Sequence, residues 1–302
     1  WIMGQWHEPW LSDNDSTQLA MVDQYDREHS RDIEMDKDGY LDTYYLQLAH
    51  NIRRFKGAKP RQATSPAGIV DLKSGAKAWN AVTPVYRNPK GTTIHRDWDG
   101  FGDYHYTNTS GRNDIIGAQV ARDGEFMYFL VECKENITPY TDSLWMNLYI
   151  DSDQGSQGWN TFEFVVNKSA ASATTLVLEK FTAENDYDKT EKVADVEYKV
   201  DGKTMTVKIP KSALGLSGDD YTINFSWTDN VHDEGDYTKF SGDIMDFYTS
   251  GDVAPGARFK FSYISHAEDI PLPEHDSLPE VEEEMNCSGC GSFTAAPLAA
   301  II

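Results

Sequence analysis

Two acidic loops in this sequence space oxygen ligands as a cation site would. Asp151-Ser152-Asp153 places two carboxylates at the end of a strand-like run, where they could converge on a structural calcium ion; an Asx turn is the plainer use of the same residues. Glu34, Asp36, Asp38 and Gly39 occupy the early diagnostic offsets of a helix-flanked calcium loop. Its closing position is Tyr45, which removes the bidentate carboxylate, so this segment is expected to be a solvated helix entry. Cys287 and Cys290 form a lone C-x-x-C with no second pair and no nearby His, too little for zinc or dithiol chemistry.

Hydrolytic chemistry has one candidate pair. Trp6-His7-Glu8-Pro9-Trp10 resembles the Asn-Glu-Pro of barrel-type retaining glycosidases, with His7 in place of the Asn and no accompanying run of barrel strands. Glycoside hydrolysis needs two carboxylates flanking one bond, and Glu8 with Glu163 is the pair available. Haem chemistry would need an axial Met and His; Met146 falls on a core-facing position with no His beside it.

The richest signal is a binding face. Alternation along Trp145-Met-Asn-Leu-Tyr-Ile-Asp151 puts Met146, Leu148 and Ile150 on one side and Trp145, Asn147, Tyr149 and Asp151 on the other. The second side mixes flat rings with an amide and a carboxylate. Sugar CH groups stack on rings while hydroxyls bond laterally to amides and acids, so this face is expected to reach water as a carbohydrate platform, extended by Glu163 on the next strand. The alternative is that the N-terminal segment or a long loop covers it and the rings are ordinary packing.

These residues need strands to hold them. From about Val70 the hydrophobic period is two, with strands expected at Ile115–Arg122, Phe126–Cys133, Trp145–Asp151, Thr161–Asn167, Thr174–Phe181, Ala194–Val200, Met205–Ile209, Tyr221–Trp227 and Phe259–Ile264. Asp123-Gly124 and Asp201-Gly202 read as turns between them. The pattern predicts an all-β, antiparallel β-sandwich over residues 66–266. Residues 1–60 read differently: Leu41, Tyr44, Tyr45, Leu48, Ile52 and Phe55 make one helical stripe, so a short helical segment is expected to precede the sandwich. Residues 267–286 are acidic and proline-bearing, an extended linker. Residues 287–302 turn small and apolar, too short to span a bilayer, and fit the start of a C-terminal surface anchor.

Composition narrows the partner. A formal charge of −22 over 302 residues argues against nucleic acid, because phosphate binding needs a basic face. Aromatics make up 12% of the chain, with eight tryptophans, a mix suited to rings that meet polar ligands.

The stretch from Gly111 to Asn167, with KSGAKAWN before it and INFSWTDN after it, resembles the family 9 carbohydrate-binding modules and their sandwich relatives. The likeness lies in the order of features: an Ala-Trp near the start, a long hairpin, a strand ending Ile-Asp-x-Asp, a Gly-Trp, then a second buried strand pair. It implies a non-catalytic module that tethers a glycoside hydrolase to polysaccharide, with structural calcium at Asp151 and Asp153. Modules of this type clamp a sugar ring between two tryptophans; the matching positions are Tyr140 and either Phe247 or Tyr248. Asn147 stands where the family has a Glu, and Val165 where it has an Arg, so a different sugar or a weakened site is implied. Residues 1–60 resemble the close of a catalytic domain that precedes such modules in bacterial polysaccharide-degrading proteins, implying an extracellular or cell-surface location and a linked upstream enzyme. The rival expectation is a glycoside hydrolase fragment whose sandwich is structural and binds no sugar.

Overall fold

A computed structural model describes residues 63–266, apart from 69, 89, 92, 94, 100–104, 153–154, 156, 170 and 257–258. The expected N-terminal helix, the loop from Glu34 to Tyr45, Glu8, the acidic linker and the tail with Cys287 and Cys290 lie outside these residues.

The described chain is mostly β. Its strands are β1 (Val85–Arg87), β2 (Arg96–Asp99), β3 (His105–Asn108), β4 (Ile115–Arg122), β5 (Phe126–Cys133), β6 (Asn147–Asp151), β7 (Phe164–Val166), β8 (Thr175–Phe181), β9 (Thr190–Asp201), β10 (Thr204–Pro210), β11 (Thr222–Asp229), β12 (Asp252–Ala254) and β13 (Phe261–Ile264). A kinked 3₁₀ segment, Leu72–Trp79, precedes β1, and a short helix α1, Asp246–Thr249, precedes β12. Eleven strands form one sheet in the order β1-β4-β5-β10-β9-β8-β7-β6-β11-β12, with β13 pairing β11 next to β12; β2 and β3 pair separately. Every neighbouring pair in the large sheet is antiparallel.

Strand twist curls this sheet until its ends meet. The Tyr86 hydroxyl on β1 donates to the Ser262 carbonyl on β13 at 2.9 Å, and the Tyr86 ring packs edge-on against Phe225. On the adjacent strand, the Ile115 amide donates to the Asp252 carboxylate on β12 at 2.6 Å. Inside the curl lies the main core, where Phe129 and Val131 from one side meet Leu148, Ile150, Phe225 and Trp227 from the other.

The two expected turns close hairpins through different chemistry. Asp123 Oδ1 accepts the amides of Glu125 and Phe126, capping the turn between β4 and β5. Between β9 and β10 the chain reverses through Gly202, whose φ of 59° is left-handed and favours a residue without Cβ.

Four strands were missed by the periodicity: β1, β2, β3 and β12. Each is only three or four residues long, too short for alternation to register.

Candidate functional site

The alternation of β6 is real, but its second face is not a water-facing platform. Met146, Leu148 and Ile150 enter the main core as expected. Tyr149 is 1% exposed and sits in a second core with Trp159, Phe162, Phe181, Tyr187 and Phe247. Segments after β6, β8 and β11 fold back over the sheet to build this cover. Gly158 and Gly242, both in the left-handed region, let them approach: a Cβ at the first would collide with the Phe162 carbonyl, and at the second with the Tyr187 side chain. Burial and the neighbouring Tyr187, whose hydroxyl lies 3.1 Å away, hold the Tyr149 phenol well above its usual range.

Trp145 departs from the parity argument for a backbone reason. Leu144 and Met146 have φ values of 51° and 42°, so the chain twists before β6 begins at Asn147, and alternation does not reach back to residue 145. Its indole therefore enters the same core as Met146, edge-to-face with Tyr198 at 5.9 Å.

The remaining expected ligands are placed as follows. Phe247 is buried in the second core and Tyr248 is half-buried against it, so neither stands across an open slot from Tyr140. Glu163 is 5% exposed and its Oε2 accepts the Ser152 amide at 2.7 Å, capping the end of β6. That role gives it no access to a glycosidic bond.

Three of the expected residues do come together. Tyr140, Trp145 and Asn147 line one hollow of about 350 Å³, a size within the range of small-ligand sites. Tyr140 is exposed at its rim, one of three large hydrophobic side chains exposed among the described residues. The floor is polar and buried: the Asn147 amide group donates to the Asn167 carbonyl at 2.7 Å, and the Asn167 amide group donates to the Trp145 carbonyl. Each carboxamide gives one N–H to the backbone, and a carboxamide has a second N–H and an oxygen besides, groups of the kind that bond ligand hydroxyls. Lys168 stands over the Tyr187 ring, its ammonium 4.9 Å from the centroid, and supplies the donor. Asp142, on the same rim, lies 3.7 Å from Arg112. Sequence reasoning missed Asn167, Lys168 and Tyr187; Asn167 follows β7 directly with a φ of 71°, and no local pattern ties it to residue 147 on the neighbouring strand β6.

A larger open hollow of about 800 Å³ lies on the other side of the Tyr140 loop and is also lined by Tyr140 and Trp145. It exists because β8 starts at Thr175 opposite Glu197 while β9 continues to Asp201, leaving four residues of β9 overhanging beside the segment Ile137–Tyr140.

The expected calcium ligand Asp151 already has a cation. Lys260 Nζ lies 2.8 Å from its Oδ2, and Asn224 donates to the same oxygen at 3.2 Å. A metal bound at that oxygen would have to displace a partly buried ammonium; Asp153, its expected companion, lies outside the described residues. Among the described residues no group of three or more His, Cys, Asp and Glu side chains is arranged to hold a metal ion, and no helix is long and apolar enough to cross a membrane.

A third hollow, of about 290 Å³, is acidic, lined by Asp233, Glu234, Asp243 and Asp246 together with His105 and His232. Burial, and then repulsion from Asp243, Asp233 and Glu234, raise the Asp246 carboxyl from 3.8 to about 7. An acid with a raised folded pKa binds its proton more tightly in the folded state. Stability therefore falls as pH climbs from 3.8 towards about 7 and levels off above it. Asp246→Asn is expected to melt with the wild type in acid and above it at about pH 8, where the wild type carries the repelled charge; equal melting temperatures across the whole range would refute this.

No family model matches the chain, and no curated protein matches it.

Proposed function

We propose that this chain is a non-catalytic carbohydrate-binding module of the family 9 sandwich type, which tethers a linked glycoside hydrolase to polysaccharide at a bacterial surface or outside the cell. The observation that carries the reading is the hollow beside Tyr140, which one exposed ring and two buried carboxamides line together. Left-handed backbone at Leu144, Met146 and Asn167 gathers in the same place, and conformations of that kind cluster at ligand clamps. Affinity at one such site is modest. Its benefit comes from raising the effective concentration of the attached enzyme at its substrate.

Glycan-array binding by the purified chain tests this directly. Tyr140→Ala is expected to weaken binding roughly tenfold, the equivalent of about 1.4 kcal/mol for one stacked ring, and Asn147→Ala to weaken it by a similar factor. A second reading, a structural or interaction domain without sugar binding, draws on the covering of the Tyr149 face by the chain's own loops. A folded wild type that binds no glycan would establish that alternative.

A further inference from the structure

The two hollows on either side of Tyr140 share the same two rings. From this we infer that they are one continuous carbohydrate trough, and that the ligand is an internal stretch of a glycan chain crossing Tyr140. This rests on the reading that the smaller hollow binds sugar.

The larger hollow has the chemistry of a sugar subsite. Its floor is apolar, the half-buried Ile137 and Val200 backed by the buried Trp145 and Tyr198, which suits the CH faces of pyranose rings. Hydroxyl and charged groups stand around it: Thr174, Thr175, Glu197 and Lys199. The floor is also rigid. Tyr198 packs edge-on against Trp145, and its hydroxyl donates to the Ser172 carbonyl at 2.8 Å, so the ring is held at both ends. The Ser172 and Thr175 hydroxyls bond each other at 2.7 Å and set the start of β8. A platform fixed in this way loses little entropy when a ligand orders on it.

The dimensions point to more than a terminal sugar. One hollow lies near the lower limit for small-ligand sites and the other well up the range. A capping site would be closed at one end. Here the Tyr140 loop separates two open spaces, and its exposed ring is placed where a chain passing from one to the other would stack.

Calorimetric titration of the full chain with cello-, xylo-, manno- and galacturono-oligosaccharide ladders tests the inference. For the glycan that binds, affinity is expected to rise about tenfold or more from disaccharide to pentasaccharide, as the second hollow fills. Ala173 is exposed and lines only the larger hollow. Ala173→Trp is expected to plug that space, keep disaccharide binding, and abolish the gain with length; the retained disaccharide binding doubles as the folding control. Affinity that is flat beyond the disaccharide in the wild type, or a gain with length that survives Ala173→Trp, would overturn the trough while leaving the smaller site intact. No binding of any ladder by the wild type would overturn the carbohydrate reading and the trough with it.

Discussion

Replacing Arg112 by methionine is expected to lower the unfolding free energy by about 3–5 kcal/mol, the cost of leaving a buried charge without its partner. Asp229, at the end of β11, is fully buried; Arg112 grips it with Nε at 2.8 Å and a terminal nitrogen at 3.0 Å. The Asn113 side chain at 2.8 Å and the Met146 amide at 3.1 Å complete its shell. The same guanidinium donates to the carbonyls of Ser143 and Leu144, so one side chain ties two loops, its own and the one between β5 and β6, to the end of β11. Burial already raises the Asp229 carboxyl against the pull of Arg112. Without Arg112 the folded-state pKa climbs further, so the deficit should be largest at neutral pH and should shrink on acidification, where a neutral carboxyl is tolerated. Urea unfolding across pH measures this, and Arg112→Met/Asp229→Leu is expected to recover part of the loss. A loss below about 1 kcal/mol, the level of an exposed ion pair, would show that this network is not what anchors the loops.

Trp159→Ala is expected to cost about 3–5 kcal/mol, as large-to-small changes at buried aromatics do. Trp159 is 1% exposed at the centre of the second core, in ring contact with Tyr149, Phe162, Phe181, Tyr187, Phe240 and Phe247. Its indole N–H donates to the Gly242 carbonyl at 3.0 Å, joining the segment after β6 to the segment before α1. Removing the ring opens a cavity at the junction of every covering loop. Denaturant unfolding followed by both near-ultraviolet and far-ultraviolet circular dichroism should show one shifted, coincident transition if this cover is an integral part of the fold. Two separated transitions, with the aromatic signal lost first, would mean instead that the loops are a detachable layer and that the Tyr149 face can open to a ligand.

The strands from Ile115 to Ile209 were legible because alternation is written locally, one residue after the next. The residues of the small hollow were half legible: Trp145 and Asn147 stood out by type and Tyr140 only through the family resemblance, whereas Asn167 and Lys168 carry no pattern that places them opposite residue 147. Asp151 shows the limit most clearly. Its spacing from Asp153 suggested a cation site, yet its charge is met by Lys260, 109 positions away in the chain.

By itself the sequence determined the period-two strands, the turns at Asp123-Gly124 and Asp201-Gly202, and which side chains of β6 share a face. Tertiary structure alone decided that the Tyr149 face is sealed by the chain's own loops and that Tyr140 borders two hollows. The reason is physical: the face on which a side chain emerges follows from the backbone geometry of its nearest neighbours, whereas what covers that face depends on segments brought in from far along the chain.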